Sequence, residues 1–243
     1  MITIQLESWA AMAPGLDSKE AWLQWLKQPD TIPETLGVLP LKEIPPLLRR
    51  RFSALGKCAM GATLQLLEEE TQLPSIFASR HGDTGLTLSL LNEMGRDEPM
   101  SPTGFSLAVH NAVSGLYTIA RKDTSAVTAI AAIEGLTLQT LFEVAGQLQE
   151  SEKVLCVLYD VPLPDIYRRY AVGENFPYAI AMIFSRTGKT SLCIEPMDTP
   201  DILEAHPSHS EPIRLISLLA GISDTMRLTV NGAHWRITRA IAE

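Results

Sequence analysis

Residues Lys153–Tyr159 (Lys-Val-Leu-Cys-Val-Leu-Tyr) are apolar on both alternating faces, so a strand here must be covered from both sides. Such a strand belongs inside a layered domain, with helices above and below a sheet. The rest of the chain supplies those layers. Residues 2–9 alternate like a half-buried strand, Ser75–Ser79 is a short buried-type strand, and Thr124–Ala132 is a further strand-like run. Helical periods lie between them. One covers Asp17–Lys27, with Ala21, Trp22, Trp25 and Leu26 on one stripe. A second covers Ile44–Glu70, where Leu48, Phe52, Leu55, Ala59, Ala62 and Leu66 recur every three or four residues. Gly82–Leu91 starts another, and Leu136–Gln149 is amphipathic. Ser101-Pro102 caps and opens a small-residue helix running to about Ala120.

The prolines between Pro29 and Pro46 predict a surface excursion. After Pro162 and Pro164 the pattern becomes strand-rich. Tyr178–Phe184 and Thr190–Glu195 predict a hairpin joined by Arg186–Lys189. A helix over Pro212–Ala220 follows. Arg227–Val230 and His234–Thr238 then flank Asn231-Gly232, the strongest short hairpin signal. The expected fold is α/β with a mixed sheet.

Composition narrows function by exclusion. In 243 residues, 46% are hydrophobic and only 6% aromatic, which allows one sizeable aliphatic core. A net charge of −8 argues against nucleic acid, whose phosphates demand clustered Lys and Arg. The single basic run, Arg49–Arg51, is expected to be a solvated helix start. Cys58, Cys156 and Cys193 are odd in number and widely spaced, without CxxC, so neither a disulfide framework nor a zinc site is expected. No cofactor is implied. No apolar stretch reaches the ~18 residues of a membrane span, and Met1–Trp9 lacks the pattern of a signal peptide. A reducing cytoplasm is the expected compartment.

Several local patterns suggest chemistry and then fall short. Thr187-Gly188-Lys189-Thr190 resembles the end of a phosphate-binding loop, but Ile183 stands where that motif needs glycine. His206 and His209 have ligand-like spacing, but Pro207 breaks the helix that would align them. Ser79, His81 and Asp83 have the residue types of a hydrolytic triad without any reason to converge in space. Gly104–Ala108 misses the nucleophile elbow by one glycine. His110 and Asn111 fall mid-helix and are expected to form a hydrogen-bonded core or interface pair, or else a base and an oxyanion donor.

Ser101–Ala112 (Ser-Pro-Thr-Gly-Phe-Ser-Leu-Ala-Val-His-Asn-Ala) and Val154–Pro164 (Val-Leu-Cys-Val-Leu-Tyr-Asp-Val-Pro-Leu-Pro) occur in the order and spacing of two landmarks. They resemble the N-terminal domain family of β-ketoacyl synthases, over roughly residues 1–200. The resemblance implies a thiolase-like fold of one βαβαβαββ-type unit. Such enzymes use two fused copies and carry an acyl-accepting Cys at a strand-to-helix turn, where the helix N-terminus stabilises a thiolate. Here the equivalent stretch is Thr128–Gly135, which contains no Cys or Ser. The nucleophile-equivalent turn then comprises Ile130, Ala131, Ile133 and Glu134. Too few residues follow for a complete second copy, so the histidine pair of that copy has no counterpart. Residues 201–243 are expected to complete the domain.

The resemblance thus implies a non-catalytic subunit, similar to the chain-length factors that pair with an active β-ketoacyl synthase in polyketide, aryl polyene or fatty-acid-like biosynthesis. Its partner would be that active subunit, with acyl carrier protein as a further contact. Strand 124–132 and helix 102–120 would form the heterodimer interface. Phe105, His110, Asn111 and Thr128, with Ile130 and Ile133, would line the interface or the acyl tunnel. Two alternatives stand beside this one. The first is an acyl-transferring or hydrolytic enzyme using His110 with Ser106 or Ser114. The second is a monomeric acyl-chain binder with a closed apolar pocket.

Overall fold

The computed structural model describes residues 1–170, 174–198 and 210–241. The chain runs β1 (Ile2–Met12), α1 (Lys19–Lys27), α2 (Pro46–Arg49), α3 (Ala54–Thr63), β2 (Ser75–Ala78) and α4 (Thr84–Gly95). It continues through α5 (Pro102–Leu107), α6 (Ala112–Arg121), β3 (Val127–Ile130), α7 (Leu136–Gln147), β4 (Lys153–Asp160) and a 3₁₀ turn (Asp165–Tyr170). The last elements are β5 (Tyr178–Ser185), β6 (Thr190–Met197), α8 (Glu211–Leu219), β7 (Thr225–Val230) and β8 (Ala233–Ile241).

All eight strands form one mixed sheet in the order β3-β2-β4-β5-β1-β6-β8-β7. The β2 strand pairs in parallel with β3 and β4, and every other pairing is antiparallel. This is a mixed α/β sheet carrying a single thiolase-like unit. β4 meets the sequence requirement: Val154, Cys156 and Leu158 enter one core, and Leu155, Val157 and Tyr159 enter the other. The first core lies under α1, α7 and α8, the second under α3 and α6. Small residues let α3 sit close to the sheet, with Cys58, Ala59, Met60 and Ala62 fully buried.

Four expectations need correction. β5 and β6 do not form a hairpin. The first strand lies between them, with Gln5 opposite both Ser185 and Ser191, so two long-range pairings replace one local one. The helix expected over 44–70 is α2 and α3, separated because the Ser53 side chain accepts the Gly56 N–H and restarts the helix. The helix expected over 102–120 is α5 and α6, with a turn at His110 and Asn111. Finally, the 29–46 excursion does contribute to the core, through the buried Ile32, Leu41 and Ile44.

The last hairpin holds: Val230 pairs with Ala233, and Asn231 and Gly232 have φ of 50° and 78°, the left-handed pair its turn requires. β7 and β8 belong to the same sheet as the preceding strands. His206 and His209 lie outside the described residues.

Candidate functional site

β3 is one edge of the sheet, and the turn leaving it, residues 131–135, leads straight into α7. Ile130 packs against the α7-side core, whereas Ala131, Ile133 and Glu134 are exposed. Thr128 does not face a cavity. Its hydroxyl accepts from the Gln147 amide at 3.0 Å and lies 3.4 Å from Glu143, so its side chain ties β3 to α7.

His110 reaches this turn from the break between α5 and α6. Its Nε2 lies 2.9 Å from the Ile130 carbonyl oxygen. A carbonyl only accepts, so this nitrogen carries the proton and the other nitrogen faces Gly82. His110 is half-buried and Asn111 is exposed, so the two do not form a pair within the core of this chain. Ser106 donates to the Thr103 carbonyl and Ser114 to the Asn111 carbonyl, both at 2.9 Å. The enzyme reading therefore finds no serine held against the imidazole. Burial raises the Cys58 and Cys156 thiol pKa values far above the range of a reactive thiolate.

Ser79, His81 and Asp83 do not converge as a triad. The Ser79 hydroxyl donates to Asp160 at 2.8 Å and accepts the Gly82 N–H, while Asp83 caps α4 by accepting the Leu86 N–H. The centre of this cluster is Asp160, at the end of β4. It also receives the Arg80 Nε–H at 3.1 Å, the Arg80 N–H at 3.1 Å and the Tyr178 hydroxyl at 3.1 Å. Burial works against the Arg80 charge, but Tyr178, Asp160 and Glu211 outweigh it and raise its pKa. Tyr178 is pushed up by burial and then by Asp160. The network pins the ends of β2, β4 and β5 together beneath the turn. Sequence reasoning passed over it. A lone aspartate ending an otherwise apolar strand was its available signal.

The N-terminus of α7 completes the site. Gly135 is its N-cap, with φ of 62°, and the Thr137 N–H donates at 2.7 Å to Glu211 of α8. Two cavities adjoin the area, one beside His110, Phe52 and Val113, the other beside Arg80, Thr137 and Glu211. Each measures about 20 Å³, room for about one water, not for an acyl chain. A larger surface cleft of about 840 Å³, lined by Lys42, Glu69, Glu70, Arg121 and Lys122, lies beside the starts of β2 and β3, away from the turn.

Phe105, Val109 and Ile133 are 63%, 51% and 74% exposed, and Leu91 and Met94 of α4 are also exposed. Together with the free edge of β3 they make an apolar margin on this side of the sheet. Among the described residues, no group of His, Cys, Asp and Glu is placed to hold a metal, and no helix is long and apolar enough to cross a membrane.

Residues 22–236 match the family described as beta-ketoacyl synthase, N-terminal domain, and the chain belongs to that family. It is similar in fold to a chain from the complex of the ketosynthase ApeO with its chain length factor ApeC from Xenorhabdus doucetiae. That match has 24% identity and a TM-score of 0.80, covering 98% of this chain and 100% of the other. The ishigamide ketosynthase/chain length factor matches at 12% identity and a TM-score of 0.66, over 91% and 74% of the two chains. A chain of AntDE:AntF, a type II polyketide synthase acyl-carrier protein in complex with its ketosynthase, matches at 11% identity and 0.67 over the full length of both. No curated protein matches the chain.

Proposed function

We propose that this chain is a non-catalytic, chain-length-factor-like subunit that pairs with an active β-ketoacyl synthase in polyketide, aryl polyene or fatty-acid-like biosynthesis. The observation that carries the proposal is the open edge of β3. Among the described residues, Val127-Thr128-Ala129-Ile130 is uncharged and has no strand on its outer side, and exposed Phe105, Val109 and Ile133 flank it. An uncharged, unprotected edge invites another strand, and exposed apolar side chains beside it provide the area to bury. Solved neighbours of the same fold are described as ketosynthase and chain length factor complexes, which supports the choice of partner.

Within this reading, the turn at Ile130, Ala131, Ile133 and Glu134 occupies the place of the nucleophile without supplying one. Phe105 and Ile133 project toward the partner, and the acyl chain occupies space formed only when the two subunits meet. With a net charge of −8, this chain is a poor surface for an acidic acyl carrier protein, which docks mainly on the active subunit. The buried free thiols fit a reducing cytoplasm.

The test is co-expression with a neighbouring ketosynthase from the same source, followed by size-exclusion chromatography with light scattering. A 1:1 complex is expected, with condensation activity that disappears when this chain is omitted. A lone monomer that never associates removes the proposal.

A further inference from the structure

The N-cap of α7 is the position from which a side chain would act on the first-turn N–H groups. An N-cap side chain normally accepts from the second or third helical residue. Here the N-cap is Gly135, and its surroundings leave no room for a side chain. A Cβ at Gly135 would lie 2.3 Å from Val230 Cγ2 and 2.9 Å from Val230 Cγ1. Val230 is itself buried at the tip of the last hairpin, so it cannot swing aside into solvent. The adjoining Asn231 N–H lies 3.4 Å from Glu134, which holds the hairpin tip on the turn from its other side.

The N–H that a side chain at 135 would use is already taken. Thr137, the second helical residue, donates at 2.7 Å to the Glu211 carboxylate at the start of α8. The segment from α8 to the hairpin therefore does two things at one point. It excludes a side chain from the N-cap and supplies the missing acceptor from elsewhere in the chain.

We infer that residues 210–241 form a built-in seal at the helix end of the turn where the family resemblance puts an acyl-accepting nucleophile, so that supplying a thiol at the N-cap, position 135, cannot alone create an acyl-accepting site. This inference rests on equating that turn with the nucleophile turn, as the functional proposal does. A thiolate at 135 would meet Val230 instead of open space. It would also face a carboxylate already holding the Thr137 N–H, where an activated thiol needs that donor for itself. The absence of a nucleophile is then matched by a structural closure of its place.

The test uses the full chain carrying Cys193→Ser, because Cys58 and Cys156 are fully buried and only Cys193 is partly accessible. Three variants are compared by iodoacetamide labelling at pH 7: Gly135→Cys, Gly135→Cys with Val230→Ala, and both of these with Glu211→Ala. Gly135→Cys is expected to lower the melting temperature and to label slowly. Val230→Ala removes the two methyl contacts and quickens labelling, while the left-handed backbone at 135, φ 62°, keeps the melting temperature below the parent's. Glu211→Ala then speeds labelling by about tenfold as the donor is released to the thiolate. A Gly135→Cys chain that labels at the rate of a free thiol, whatever its melting temperature, overturns the seal.

A second measurement needs no substitution at the glycine. Hydrogen exchange at the Thr137 amide should quicken by about tenfold in Glu211→Ala, which removes the acceptor. Unchanged protection overturns the inference. Both measurements are made without a partner, so failure to pair with a ketosynthase would count against the functional proposal and leave these results standing.

Discussion

The two edges of the sheet are managed in opposite ways. β3 has no charged residue along its edge, and exposed apolar groups from α5 and the following turns lie around it. β7, at the far edge, carries Arg227 at its middle, and the Arg227 carbonyl accepts from Arg214 of α8 at 2.6 Å. Its neighbour β8 is pinned to β6 by Arg236, which donates to Glu195 at 2.6 and 2.9 Å. Charge and side-chain capping are the ordinary means by which an edge is protected from other strands. One edge has them and the other lacks them. The difference argues that β3 is built to be covered by another chain and that β7 is finished within this one.

The largest effect should come from the pin that joins the ends of β2, β4 and β5. Asp160→Ala leaves Arg80, Ser79 and Tyr178 without their shared acceptor in a buried site. Removing one partner of a buried charge pair costs about 3–5 kcal/mol. A urea titration should show that loss in stability. A decrease below about 1 kcal/mol would mean that water replaces the carboxylate and that the three strand ends are not pinned there.

The comparison itself is broken most directly by placing the same charge on each edge. Ala129→Glu on β3 should weaken association with an active ketosynthase at least ~100-fold, about 2.7 kcal/mol. Thr229→Glu on β7 should leave it unchanged. Both positions are exposed in the single chain, so both variants should keep unfolding stability within ~0.5 kcal/mol of the parent. Equal losses of association from the two variants, measured by light scattering and titration calorimetry, would erase the distinction between the edges. A smaller probe sharpens the finished side: Ile237→Val, in the fully buried centre of β8, should cost about 1 kcal/mol in urea unfolding without altering association.

What could be read from the sequence depended on whether the signal was local. β4 was legible because both of its faces are apolar, and the last hairpin because Asn231-Gly232 can take two left-handed residues in a row. The edge strand was recognised, though it is shorter than the 124–132 run. β5 and β6 were found as strands but joined wrongly. The insertion of β1 between them is a pairing across nearly the whole chain, and no local pattern carries it. His110 shows the same limit. Its spacing resembles helix interior, yet the chain turns there and the imidazole reaches the Ile130 carbonyl, a contact set by tertiary structure. Phe105 and Ile133 were named from a resemblance, and their exposure makes sense only once the open edge is seen. Glu211 had no signal of its own: a carboxylate capping the helix of a distant segment looks like any surface acid until the two elements meet.

The smallest expected effect concerns pH and the ground between the two edges. His81 sits beside the Asp160 network, half-buried, and its pKa is lowered, chiefly by burial and with help from Arg80, against an opposing pull from Asp160. The unfolded chain therefore takes up the proton more readily than the folded one. Stability is complete above the ordinary histidine value of 6.5 and falls as the pH drops below it, levelling off beneath the folded-state pKa. In His81→Asn this component should vanish, so the difference in stability between parent and variant should change between about pH 7 and pH 5 and stay flat above pH 7. Urea midpoints across that range decide it. A constant difference would mean that His81 ionises as freely when folded as when unfolded. The β2 end of the site would then be as open to water as the β3 edge beside it, and the boundary between the covered and uncovered sides would have to move inward.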